Sequence, residues 1–336
     1  MNALFLAAVF LLTIWAVFRG KDIHLVIQYL ETARKPYILA GIGCVMTFIF
    51  GESIIIWYLL RTIGYQIKLL RCYLYSFIGF FFSCITPSAS GGQPAQIIYM
   101  KKDRIPVPES TLVLMIVTIT YKFVLVVLGI LLLLIQPEQV MRYLEPVMFW
   151  MYLGIALNVF CVICMMTLVF HPHLARVIMV KGLSILERLH LMKKKPQRME
   201  KLERAMNQYH GAAEYFWSHK LVVVNAFFIT VVQRLILFFV TYLTYRAFGL
   251  HREPAWVIVA LQGMISVAVD MLPLPGGMGI SETLFLIIFQ PIFGEILLLP
   301  AMILSRGISY YSQLLISAVM TVAAHFIIRG ESGNET

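Results

Sequence analysis

The chain has 336 residues, 60% of them apolar and 13% charged, against about 45–50% and about 25% in a soluble domain. That imbalance excludes an ordinary soluble enzyme, a disordered chain, a disulfide scaffold and a nucleic-acid module. The net charge of +10 then reads as a marker of loop orientation in a membrane protein rather than as a sign of a polyanionic partner.

A bilayer-spanning helix needs about 20 apolar residues. Runs near that length occupy 3–18, 36–60, 109–135, 146–170, 221–248, 254–272 and about 300–328. They predict an all-α integral membrane bundle, with residues 1–336 forming one polytopic domain. The first run, Ala3 to Phe18, has no preceding basic residue and no small-residue cleavage site, so it reads as a retained helix rather than a signal peptide.

Two further stretches are apolar at both ends and broken in the middle. Residues 72–98 contain Thr86-Pro-Ser-Ala-Ser-Gly-Gly-Gln-Pro-Ala-Gln96, and residues 264–289 contain Pro273-Leu-Pro-Gly-Gly-Met-Gly-Ile-Ser-Glu282. A helix broken at membrane depth exposes backbone N–H and C=O groups, which is tolerated only inside protein or beside a water-filled cavity. Both stretches are therefore expected to be re-entrant or broken-helix hairpins. Interrupted segments at corresponding places in two halves point to a transporter site between inverted repeats, although no strict sequence repeat is visible.

Between these stretches lies one long basic loop. Residues 171–220 carry ten Lys/Arg against four Glu, which places the loop, and with it the C-terminus, in the cytoplasm. Within it Met199, Leu202, Met206, Tyr209, Ala213 and Phe216 share one helical face. That face is expected to lie on the anionic lipids of the inner leaflet, with docking of a partner protein as the alternative.

Glu52, Lys122, Arg234, Asp270, Glu282 and Arg306 all fall within apolar segments or at their turns. Each buried Lys, Arg or Asp costs about 2.5–3.5 kcal/mol at mid-membrane, so the six are expected to face one another, a polar cavity or a charged ligand. No cofactor or metal site is read. Cys161-x-x-Cys164 lacks a second ligand pair, and His171-Pro-His173 has no carboxylate nearby.

At the two broken segments the sequence resembles the transmembrane flippase region of the bacterial lysylphosphatidylglycerol synthases, the multiple peptide resistance factors; Arg306 followed by Tyr310 also fits. The resemblance implies a flippase or transporter, in the bacterial cell membrane, for a phospholipid such as lysyl-phosphatidylglycerol or another lipid phosphate. Under it, Gly91, Gly92, Pro94, Pro275, Gly276, Gly277 and Gly279 shape the backbone, while Gln93 and Gln96 stand where many relatives carry a Glu and an Arg. Lys122, Arg234 and Arg306 are expected to contact phosphate, and Glu52, Asp270 and Glu282 an amine or a coupling proton. The family's full-length members carry a separate soluble domain that transfers lysine from lysyl-tRNA to phosphatidylglycerol. None of that domain is in these residues, so lysyltransferase activity is the alternative by family label only. A separate synthase docking on the basic loop, or a second copy of the chain, is a further expected partner.

Overall fold

The computed structural model describes residues 23–86, 89–170, 177, 197–272, 274 and 277–328. The apolar run 3–18, Pro275, Gly276, His171–His173, most of the basic stretch 171–196 and the tail after residue 328 lie outside the described residues. Among those described there are helices and turns and no strand, as the sequence predicts for an all-α membrane protein.

A short helix α1 (Ile23–Glu31) leads into the long α2 (Lys35–Thr62). The first broken stretch follows as α3 (Leu69–Ile85) and α4 (Gly92–Lys102), and then come α5 (Val107–Ile135), the short α6 (Glu138–Leu144) and α7 (Met148–Phe170). The amphipathic α8 (Gln197–Ser218) precedes α9 (Lys220–Ala247). The second broken stretch is α10 (Ala255–Val269) and the start of α11 (Ile280–Arg306), and a π-helical turn (Gly307–Tyr311) joins α11 to α12 (Ser312–Ile327). Five of these runs are long and apolar enough to cross a membrane. Their outward faces carry exposed Leu39, Phe160, Phe228, Leu315 and Phe326, apolar surface of the kind that marks contact with lipid.

The helical run α11 is not straight. Gly294 has φ +70° and ψ 170°, a conformation open to glycine because it has no Cβ. Glu282 and Arg306 would stand about 36 Å apart on a continuous helix, yet Arg306 Nε donates to Glu282 Oε1 at 2.8 Å. The chain therefore folds back at Gly294. Residues 280–293 form the return arm of the second hairpin, and 295–327 form the final crossing.

With that break placed, an internal repeat appears that the residue pattern hides. Helix α2 begins at Lys35 and α9 at Lys220, 185 residues on; α3 begins at Leu69 and α10 at Ala255, 186 on. Helix α4 begins at Gly92 and α11 at Ile280, 188 on, and the long α5 at Val107 matches the final crossing from Glu295, again 188 on.

The two units are inverted. Arg34 N donates to Ala247 O at 3.0 Å, Gln233 Nε2 to Phe48 O at 2.9 Å and Asn225 Nδ2 to Tyr58 Oη at 3.0 Å, so α2 and α9 run antiparallel. The first hairpin leaves from the end of α2 and the second from the end of α9, which places their entries on opposite faces. The first face gathers residues 62–68 and 103–106, the start of α9 and the end of α12; Arg71 Nη1 bonds Ile327 O there at 3.3 Å. Tyr65, which donates to Glu109, ties the segment after α2 to α5 on this face. Burial and that carboxylate push the Tyr65 phenol up to about 12, so it remains a donor. The opposite face gathers the α5–α6 turn, residues 248–254 and Gly294, with Tyr143 Oη bonding Glu253 at 3.0 Å.

Each hairpin sits in its own apolar cluster. Leu74, Tyr75 and Ile78 of the first pack with Ile55, Leu59 and Leu112, while Leu261, Met264, Phe285 and Phe289 of the second pack with Val140 and Met151. The first cluster also absorbs Tyr209, Ala213 and Phe216 of α8, all buried. For these three residues packing on protein replaces the expected rest on lipid, and Tyr209 Oη reaches Met115 Sδ of α5 at 3.6 Å. The side chains of Met199 and Leu202, of the same stripe, lie outside the described residues.

Candidate functional site

Between the two hairpins lies a cavity of about 490 Å3, within the range of small-ligand sites. Gln93 and Gln96 enter it from the first hairpin, and Asp270, Gly277 and Ser281 from the second. Glu52 of α2, Lys122 of α5, Arg234 of α9 and Arg306 of the final crossing complete its charged wall. Of the six charges predicted to converge, five line this space. The sixth, Glu282, adjoins it through its ion pair with Arg306.

Two of the cations are already neutralised. Lys122 Nζ stands 2.5 Å from Asp270 Oδ2, and the neighbouring Tyr121 hydroxyl donates to the other oxygen of the same carboxylate. Arg306 pairs with Glu282, whose second oxygen accepts from Gly279 N at 2.7 Å. One carboxylate thus closes both an ion pair and the N-terminus of α11, where N–H groups have no intrahelical acceptor. Both pairs are largely shielded, with side-chain exposures of 11% and 11% for Lys122–Asp270 and 15% and 5% for Arg306–Glu282. Shielding makes each pair expensive to break from one side.

Glu52 accepts from Gln96 Nε2 at 2.9 Å, and the same amide reaches Tyr75 O at 3.2 Å. Gln93 bonds Leu114 O at 3.1 Å and the Thr118 hydroxyl. These two amides tie the first hairpin to α2 and α5.

The inverted repeat makes these contacts comparable. Lys122 and Tyr310 occupy equivalent places 188 residues apart, as do Cys84 and Asp270 186 apart, and Tyr310 Oη bonds Cys84 O at 2.9 Å. The second hairpin is thus held to the opposite unit by an ion pair where the first is held by a neutral hydrogen bond. Thr118 and Arg306 are also 188 apart; Gln93 of the first hairpin bonds the one and Glu282 of the second pairs with the other, one position out of that register.

The predicted backbone-shaping residues divide. A Cβ on Gly92 would meet Gly79 O at 2.7 Å and Ser83 Oγ at 2.1 Å, so this glycine lets α4 close against α3. Gly91 abuts Thr86 in the same turn. Neither of these lines the cavity; they build the hairpin. Pro94 is exposed and is not among the residues lining the cavity. Gly277 does line it, with φ +65°, and Gly279 caps α11 with φ +86°. Pro275 and Gly276 lie outside the described residues.

The charge pattern alone does not reveal Tyr121. Its ring centroid lies 3.5 Å from Arg234 Cζ while its hydroxyl holds Asp270. Its position next to Lys122 was the available signal. Tyr310 also lies against a cation, its ring centroid 4.7 Å from the Arg306 guanidinium carbon. No group of His, Cys, Asp and Glu among the described residues could hold a metal ion.

Inverted units, opposed re-entrant hairpins and a shared ionic cavity define a multi-pass membrane protein built around a central polar site. The chain belongs to the family described as the lysylphosphatidylglycerol synthase TM region, whose family model matches residues 3–317. A search of the curated proteins found no match.

Proposed function

We propose that this protein moves a phospholipid across the cell membrane, passing the headgroup through the cavity while the acyl chains stay in the hydrocarbon. The observation that carries this reading is the meeting of two hairpins, entered from opposite faces, at one ionic cavity of about 490 Å3. Broken helices at the midplane between inverted units suit alternating access, in which one unit moves against the other. Aminoacylated phosphatidylglycerol fits both the family and a wall holding cations beside carboxylates. In this reading the chain transfers no amino acid itself. A synthase supplied separately would deliver the lipid.

The sidedness follows from charge. The face bearing Arg61, Lys68, Arg71, Lys101, Lys102, Arg104, Arg204 and Lys220 is cytoplasmic by the excess of Lys and Arg near its spans, and the C-terminal end of α12 shares it. The first hairpin, held to the opposite unit by a hydrogen bond rather than an ion pair, would be the gate on this side.

A lipid-transfer assay in proteoliposomes, using fluorescent phosphatidylglycerol and lysyl-phosphatidylglycerol, tests the proposal. The wild-type protein is expected to accelerate transfer. Glu282→Ala combined with Arg306→Ala is expected to reduce the rate at least about tenfold, since both the ion pair and the cap of α11 go. Equal rates for wild type, double variant and protein-free vesicles would refute it.

A further inference from the structure

The three cations of the cavity are not equivalent. Lys122 and Arg306 each hold a carboxylate at 2.5 Å and 2.8 Å. Arg234 does not. Its Nε is shielded from solvent with no hydrogen-bond partner, and no hydrogen bond or ion pair joins its guanidinium to a described residue. Its contacts are with rings instead, Tyr121 at 3.5 Å and Phe48 at 4.9 Å from the guanidinium carbon. Glu52, held in place by Gln96, attracts it only through space.

An arginine in this position is unusual, because a buried donor without an acceptor costs about 1–3 kcal/mol, and more when it is charged. The Tyr121 ring against the guanidinium carbon offsets part of that cost, while no N–H of the fork meets an acceptor among the described residues. A planar fork of this kind matches two oxygens of one phosphate.

We propose that Arg234 is the anion receptor of the cavity, a preformed seat for a phosphate or phosphodiester group, and that Lys122 and Arg306 act as latches that do not receive it. The inference rests on the transport reading only for the source of the phosphate, a lipid headgroup rather than a free anion. Tyr121 is the positioning residue. It holds the guanidinium by its face and, through its hydroxyl, keeps Asp270 engaged with Lys122.

The test is titration calorimetry on the full chain in neutral detergent, with inorganic phosphate and water-soluble dihexanoyl-phosphatidylglycerol as separate probes. The wild-type protein is expected to bind the short-chain lipid saturably. Arg234→Gln should weaken that binding by about tenfold or more, and Arg234→Lys should give an intermediate loss, because a point charge replaces the fork. Should Arg234→Gln fail to fold, as judged by circular dichroism, Arg234→Lys decides. Binding of inorganic phosphate with the same dependence on Arg234 would support the seat and identify its source as any phosphate; binding of the lipid probe alone would support it and identify a headgroup. No binding of either probe by the wild-type protein, or equal binding by the variants, would overturn the proposal. Phosphate binding that depends on Arg234 in a protein that moves no lipid would remove the transport reading and leave the seat. Transport without such binding would do the reverse.

Discussion

Replacing Asp270 with alanine is expected to destabilise the protein by about 3 kcal/mol, seen as a lower midpoint of thermal unfolding in detergent. The carboxylate serves Lys122 at 2.5 Å and the Tyr121 hydroxyl together. Its removal leaves an ammonium with a side-chain exposure of 11% without its counter-charge. Breaking a buried pair from one side costs about 3–5 kcal/mol, and the polar lining of the cavity places this case at the lower end. The cost belongs to the stranded charge more than to the lost attraction, so a second change, Lys122→Met, should recover most of the stability. Transport would not recover with it, because the second hairpin would have lost its tie to α5. A double variant no more stable than Asp270→Ala alone would show that the pair does not act as a unit.

Glu282 should be at least as sensitive, and the effect should depend on the replacement. One oxygen receives Arg306 at 2.8 Å and the other receives Gly279 N at 2.7 Å. Alanine removes both acceptors and is expected to cost about 4 kcal/mol, combining a broken buried pair with a lost helix cap. Glutamine keeps an acceptor for one partner at neutral charge and should cost roughly half as much. Thermal unfolding of both variants beside the wild type gives the order. If alanine and glutamine prove equally mild, Glu282 does not hold the tip of the hairpin in place.

The membrane class was legible because apolar runs of spanning length have few other uses. The two hairpins were legible because Thr86–Gln96 and Pro273–Glu282 place turn residues between apolar arms, where a water-exposed loop would be flanked by polar sequence. A fold-back after the second hairpin was implied by the separate runs 264–289 and about 300–328, and inverted repeats were expected from the two broken stretches. The residue that turns the chain was not legible: a single glycine between Phe293 and Glu295 reads as an ordinary interruption until the ion pair across it rules out a straight helix, and the register of the repeat depends on that turn. Glu52, Lys122, Arg234, Asp270 and Arg306 could be grouped because charge is costly in hydrocarbon, but their pairing could not. Lys122 and Asp270 are 148 positions apart, and nothing local links them. Tyr121 escaped because a tyrosine in an apolar helix carries no charge to flag it. The apolar stripe of α8 was legible from its spacing, but spacing along one helix does not say whether lipid or protein covers the stripe. Over Tyr209, Ala213 and Phe216 the cluster that includes Leu112 and Met115 of α5 does.

Access to the cavity from both sides of one bilayer is the most direct test of alternating hairpins. Ser309 lines the cavity and can be changed to cysteine after Cys44, Cys72, Cys84, Cys161 and Cys164 are replaced by alanine. In proteoliposomes of uniform orientation containing phosphatidylglycerol, a membrane-impermeant thiol reagent supplied from the outside or enclosed within is expected to modify Ser309→Cys in both cases. Labelling from a single side under every lipid composition tried would contradict the account, since a cavity open permanently to one face cannot carry a headgroup to the other.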